Sequence, residues 1–192
     1  MDRRPRGYAG TNHETIGSDI LAVLHVVTMP EHVLGAEMAS RLRAVKPDRW
    51  YPISWLLEAM DALAAKLGHF GLVQMGRNLF RLSHEERVSQ VLRSAGDVIY
   101  GLNDMYHHAN RGERIGGWQV MSFLPGRAML DKTTPHHCAM EEGIVSQALL
   151  SLGVPSLVVQ RECFRKGAES CVYVVTSSIT DLRWMGHHPP QP

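Results

Sequence analysis

Gln160-Arg161-Glu162-Cys163-Phe164-Arg165-Lys166-Gly167-Ala168-Glu169-Ser170-Cys171-Val172-Tyr173-Val174-Val175-Thr176 is the stretch on which the reading of the chain turns. Leu157–Cys163 and Cys171–Thr176 are rich in β-forming residues, and the loop between them is polar and holds Gly167. This pattern predicts an antiparallel hairpin. The ends of hairpin strands are close, so the sulfurs of Cys163 and Cys171 can approach one point. Upstream, Gly153-Val154-Pro155 ends a helix expected over Ala139–Leu152, with Met140, Ile144, Val145, Ala148, Leu149 and Leu152 on its buried side. Cys138 stands where that helix begins, just after Pro135-His136-His137. A helix N-terminus favours a thiolate, the form of cysteine that binds metal. Further upstream, Trp118–Leu124 and Ala128–Thr133 form a second pair of β-runs joined by Pro125-Gly126. The order is therefore hairpin, helix, hairpin.

The first half reads as helical. Ile16–Met29 stops before Pro30, Glu31–Val45 stops before Pro47, and a third helix carries Trp55, Leu56, Met60, Leu63 and Leu67 on one face before Gly68 ends it. A short helix is expected over Leu72–Leu82. Ser83-x-x-Glu86 matches a capping box. It would open a long helix over Ser83–Asn110, striped by Val88, Val91, Leu92, Ala95, Val98, Ile99, Leu102, Met105 and Tyr106. That stripe suits a central core helix, with part of it available as a homodimer seam. Gly96 within it requires a close neighbour. The expected fold class is α/β (α+β). Residues 1–112 are expected to form a helical region, 113–185 an α/β domain, and 186–192 a flexible tail; Met1–His13 also read as loose.

Bulk properties narrow the function. The chain has 192 residues and a formal charge of +1, which gives no electrostatic reason to invoke nucleic acid or an anionic membrane. The basic start (Arg3, Arg4, Arg6) is not followed by a signal-peptide core. No segment approaches the ~18 apolar residues of a membrane helix, so we place the protein in the cytoplasm. Three cysteines there argue against a disulfide scaffold. Spacing alone leaves three readings open: a zinc centre, three separately buried or surface thiols, and a redox pair across the hairpin. A nucleophile motif, Walker loop or dinucleotide fingerprint is absent, and no catalytic residue is assigned. The adjacent acids Glu141 and Glu142 point about 100° apart on a helix and are read as solvated first-turn acids.

Cys138-x4-Gly143, followed by Gln160-x-x-Cys163-x3-Gly167-x3-Cys171-Val172-Tyr173-Val174, resembles the 4-vinyl-reductase domain family. The likeness covers about the last 75 residues. It is greatest to the cysteine-bearing branch found in the input domains of aromatic-responsive bacterial activators. The resemblance implies a structural zinc held by Cys138, Cys163 and Cys171 beside an enclosed apolar pocket. The family's acidic fourth ligand falls on Gln160, a poor zinc ligand. His137, Glu141 and Glu162 are the nearby substitutes, and His137 is the best of them chemically; Glu162 should face away from Cys163.

Trp118, Phe123 and Tyr173 are the candidate ligand-lining residues, each also explicable as an ordinary core aromatic. The implied function is a stand-alone sensory module for a small apolar or aromatic ligand, with output through a partner protein. One rival is an enzyme or accessory factor of tetrapyrrole (bacteriochlorophyll) vinyl reduction; another is a scaffold or chaperone. The broader superfamily is similar in architecture to haem-based nitric-oxide sensors. None of the five tyrosines begins their Tyr-x-Ser-x-Arg motif, and a solvated helix end accounts for His107 and His108. Haem is therefore not expected.

Overall fold

The computed structural model describes residues 12–191 as one α+β assembly with two antiparallel sheets. In chain order the elements are β1 (Glu14–Ile16), α1 (Gly17–His25), α2 (Pro30–Leu34), α3 (Ala36–Arg43), β2 (Trp50–Pro52) and α4 (Ile53–Ser83). There follow α5 (Glu85–Val91), α6 (Ala95–Ala109), β3 (Asn110–Arg111), β4 (Trp118–Leu124), β5 (Arg127–Lys132) and α7 (Cys138–Ser151). β6 (Leu157–Glu162), β7 (Cys171–Thr176) and α8 (Leu182–Met185) complete the series.

The hairpin–helix–hairpin order holds. Its four strands form one antiparallel sheet in the order β4-β5-β7-β6, so the two hairpins join through β5 and β7. The Pro125-Gly126 turn is where expected. Gly126 has φ 71, and a Cβ there would stand 2.7 Å from the Ser177 carbonyl oxygen.

Several helical expectations are corrected. The single helix expected over Glu31–Val45 is two, divided at Gly35 with φ 85. The break expected at Gly68 is present: the two helical stretches of α4 meet there in a kink, where a φ of 63 takes Gly68 out of helical conformation. The long helix expected over Ser83–Asn110 is broken at Leu92, which is extended. The capping box that matters is Ser94 with Asp97: Asp97 N–H donates to Ser94 Oγ at 3.1 Å, and Ser94 N–H to Asp97 Oδ2 at 2.9 Å. Gly96 does have its close neighbour, since a Cβ there would lie 2.8 Å from the Met185 carbonyl oxygen.

The helical half meets the C-terminal unit through α4, which crosses α7, and through α6, whose Val98, Ile99 and Leu102 share a core with Phe123, Leu130 and Val145. Gly76 and Gly143 lie at this crossing, where a Cβ on Gly76 would fall 1.9 Å from the Met140 oxygen and one on Gly143 2.0 Å from that of Val73. The backbones of α4 and α7 are thus in direct contact.

The two chain ends also differ from expectation. His13 is buried rather than loose, and it precedes β1, which with β2 and β3 forms a three-stranded sheet. The rest of the stretch expected to be loose, residues 1–11, lies outside the described residues. The end of the chain is strapped down over residues 186–191 instead of forming a flexible tail. His188 stacks on Tyr100 with centroids 4.6 Å apart and meets Asp97 at 3.0 Å, while Gln191 and Phe123 exchange backbone hydrogen bonds.

Candidate metal centre

Cys138, Cys163 and Cys171 come together. Their sulfurs all lie within 4.8 Å of one another, with Cys138 Sγ 3.4 Å from Cys171 Sγ and 3.7 Å from Cys163 Sγ. All three are free and buried. Two tetrahedral zinc ligands at about 2.3 Å stand about 3.8 Å apart, so the cluster is already close to the spacing that a metal imposes. Three separate pieces of chain supply the sulfurs: the first residue of α7, the residue after β6, and the first residue of β7. Between the last two, a 3-10 turn over Phe164–Lys166 and left-handed Gly167 (φ 105) reverse the chain. Phe164 N–H donates to Cys171 Sγ at 3.4 Å.

Beside the sulfurs lies a feature that sequence reasoning missed. Lys132, the last residue of β5, is fully buried. Its cross-strand partners are Trp118 on β4 and Cys171 on β7, so the three form a row on one face of the sheet. Lys132 Nζ donates to the His136 carbonyl oxygen at 2.8 Å, pairs with Glu141 Oε2 at 2.6 Å, and stands 3.6 Å from Cys138 Sγ. The Phe164 ring centroid is 5.7 Å away. Glu141 is therefore not the solvated acid expected from its place in the first helical turn. It is buried, with Oε1 accepting from Thr134 Oγ1 at 2.7 Å and facing His136 Nδ1 at 3.4 Å. A buried carboxylate and ammonium need this degree of pairing. Residues 132, 134 and 136 thus surround one carboxylate, and an alternating polar run after a strand is the signal that was available. Glu142 faces elsewhere, 3.5 Å from His69.

The electrostatics divide the thiols. A hydrogen bond from Cys171 holds the Cys138 thiol down at about 4 against the opposing effect of burial, with Lys132 and the Gln160 side chain adding to the stabilisation. Cys171 is the proton holder: donation to Cys138 and burial push it far up. For Glu141, burial opposes ionisation, but Lys132 and His136 together outweigh it and hold the carboxyl at about 2. Burial works against the Lys132 ammonium, yet Glu141 and the Cys138 and Cys171 sulfurs raise it above the ordinary value.

Among the candidate fourth ligands, Gln160 lies on the sulfur side, and its amide nitrogen is buried without a hydrogen-bond partner. His137 is the N-cap residue of α7, and its Nδ1 is likewise buried and unpartnered. Burial and the Arg165 charge both lower its pKa. Its ring is not part of the group whose ligand atoms all fall within 4.8 Å. Glu162 is exposed where Cys163 is buried, in keeping with strand alternation.

The three aromatic candidates separate into two places. Trp118 packs on Tyr173 at 5.5 Å between centroids, and Tyr173 O–H donates to the Cys138 carbonyl oxygen at 3.0 Å. Phe123 sits further along β4, fully buried between Tyr100 at 5.4 Å and the stacked Trp184 at 5.8 Å.

No known protein-family profile matches the chain, and no curated protein matches it. Solved structures do match its fold. A Fe(II) unliganded H-NOX protein from K. algicida superposes with a TM-score of 0.63 at 9% identity, over 85% of this chain and 96% of that one. An H-NOX protein from S. oneidensis in the Fe(II)NO ligation state gives 0.62 at 16% identity, over 84% and 98%. A variant of Tt H-NOX gives 0.59 at 9% identity, over 86% and 96%. The fold is thus H-NOX-like. Among the described histidines on α6, His107 and His108 are exposed. His136 is buried against the Tyr106 ring at 5.4 Å, and its Nε2 has no hydrogen-bond partner.

Proposed function

We propose that the chain is a small-molecule sensory module of 4-vinyl-reductase type, in which Cys138, Cys163 and Cys171 hold a metal ion. The observation that carries this reading is the convergence of three buried sulfurs from three chain segments. A metal there would tie the β6–β7 hairpin to the start of α7, whose backbone rests on α4 at Gly76. An apolar or aromatic ligand beside Trp118 and Tyr173 would act on the same point, because Tyr173 is bonded to the Cys138 carbonyl. Phe123 extends the aromatic set along β4. Output would pass to a partner protein or a second copy of the chain, in the cytoplasm. Val91 and Leu82, at 71% and 64% exposure, supply apolar surface for such a contact.

Metal analysis with native mass spectrometry of wild type and Cys163→Ala tests the proposal. The expected result is one ion per chain, lost in the variant together with thermal stability. Metal-free protein whose three thiols are alkylated freely would sink it.

A second reading, haem binding, draws on the H-NOX-like fold and on His136. Its Nε2 is the buried nitrogen available to iron, while Glu141 orients the ring from Nδ1. Bound haem would supply an iron centre for a diatomic gas. Haemin titration should then produce a Soret band that His136→Ala abolishes; identical spectra for the two proteins remove the reading.

A further inference from the structure

We infer that the cysteine cluster is built for a soft metal ion satisfied by three thiolates, of the class of monovalent copper, rather than for tetrahedral zinc. The inference rests on the reading of the cluster as a metal site and goes on to assign the kind of ion. Structural zinc takes four protein donors, whereas thiolate-only sites also suit Cu(I). Here the fourth donor is missing for a physical reason. The buried carboxylate nearby, Glu141, is engaged by Lys132, Thr134 and His136. The ring of His137 lies outside the sulfur group, and Glu162 is exposed.

What faces the sulfurs instead is a set of N–H groups. Lys132 Nζ is 3.6 Å from Cys138 Sγ, and the Phe164 amide is 3.4 Å from Cys171 Sγ. The Gln160 side chain also lies beside Cys138, and its buried amide nitrogen has no hydrogen-bond partner. Such groups stabilise electron-rich thiolates but do not bind a cation. The Lys132 ammonium repels a nearby divalent ion about twice as strongly as a monovalent one at the same distance. It also withholds the space and the negative charge that a fourth ligand would bring. A trigonal site with an outer ring of N–H donors follows from these contacts. On binding, the thiol protons leave to solvent and the three sulfurs become ligands.

The test uses the full chain and two variants under anaerobic conditions. Cu(I) is delivered from a competing chelator, while Zn(II) and Co(II) are titrated separately. Wild type should take one Cu(I) per chain with three sulfurs in its X-ray absorption spectrum, and Co(II) should give no intense tetrahedral bands. Gln160→Glu, which places a carboxylate beside Cys138, should raise zinc affinity about tenfold or more and develop those bands. Lys132→Met/Glu141→Met, which removes the ammonium and its partner together, should shift selectivity the same way. Tetrahedral Co(II) in wild type, or equal zinc affinity in wild type and Gln160→Glu, would overturn the three-coordinate assignment while leaving a metal site in place. Failure of Cu(I), Zn(II) and Co(II) alike to bind would instead remove the metal reading itself.

Discussion

Lys132 is the residue whose environment says most about the site. Its ammonium is fully buried, and its opposite charge is Glu141, nine residues later. Removing one member of such a pair leaves the other buried and uncompensated, at a cost of about 3–5 kcal/mol. Lys132→Met should therefore lower the urea midpoint sharply, and Lys132→Met/Glu141→Met should recover much of the loss. The pair also gives a pH signature. The folded Glu141 carboxyl is held at about 2 where an ordinary glutamate has 4.5. Its stabilising effect is complete above pH 4.5 and is lost as pH falls toward 2. By linkage this is worth roughly 3 kcal/mol. Acid titration of stability should show that loss in wild type and a flatter curve in Glu141→Gln. Apart from the alternating polar run at 132, 134 and 136, nothing in the local sequence marks these two residues as buried. A lysine at a strand end and a glutamate in a first helical turn both ordinarily face solvent, and only the cross-strand register places Lys132 inside.

At the scale of elements, the crossing of α4 and α7 is set by Gly76 and Gly143. A methyl at either position would overlap a backbone oxygen that no rotamer change can move aside. Gly76→Ala should cost about 3 kcal/mol in thermal or chemical unfolding, at the upper end for overpacking. Gly101→Ala in α6 is the control, because a Cβ there meets nothing within 4 Å. It should stabilise by about 0.5–1 kcal/mol. Elements with strong periodic or turn signals were legible in the sequence: both hairpins, α7, and the break at Gly68. The three-stranded sheet was not, since strands of two or three residues carry no alternation to detect. The break at Leu92 was hidden because its apolar stripe continues in phase into α6, while Ser94 and Asp97 start a fresh helix. The convergence of the three cysteines was legible, because a hairpin and a helix start are local geometries.

For the whole molecule, the C-terminal segment closes the core rather than trailing from it. Trp184 is fully buried, donates its indole N–H to the Leu124 carbonyl oxygen at 2.8 Å, and stacks on Phe123. Trp184→Ala should cost about 3–5 kcal/mol, read as a lower melting temperature. Protease cleavage should then appear in the segment after β7 before the rest of the chain. The helical half is joined to the sheet through the Gly76–Gly143 contact, and this joint has a mechanical consequence. Helices that touch through side chains can slip by rotamer changes, which absorb small displacements. Two backbones in contact have no such slack and only one seating. A displacement of the part of α4 that carries Gly76 is therefore expected to reach the first turn of α7, which begins at Cys138.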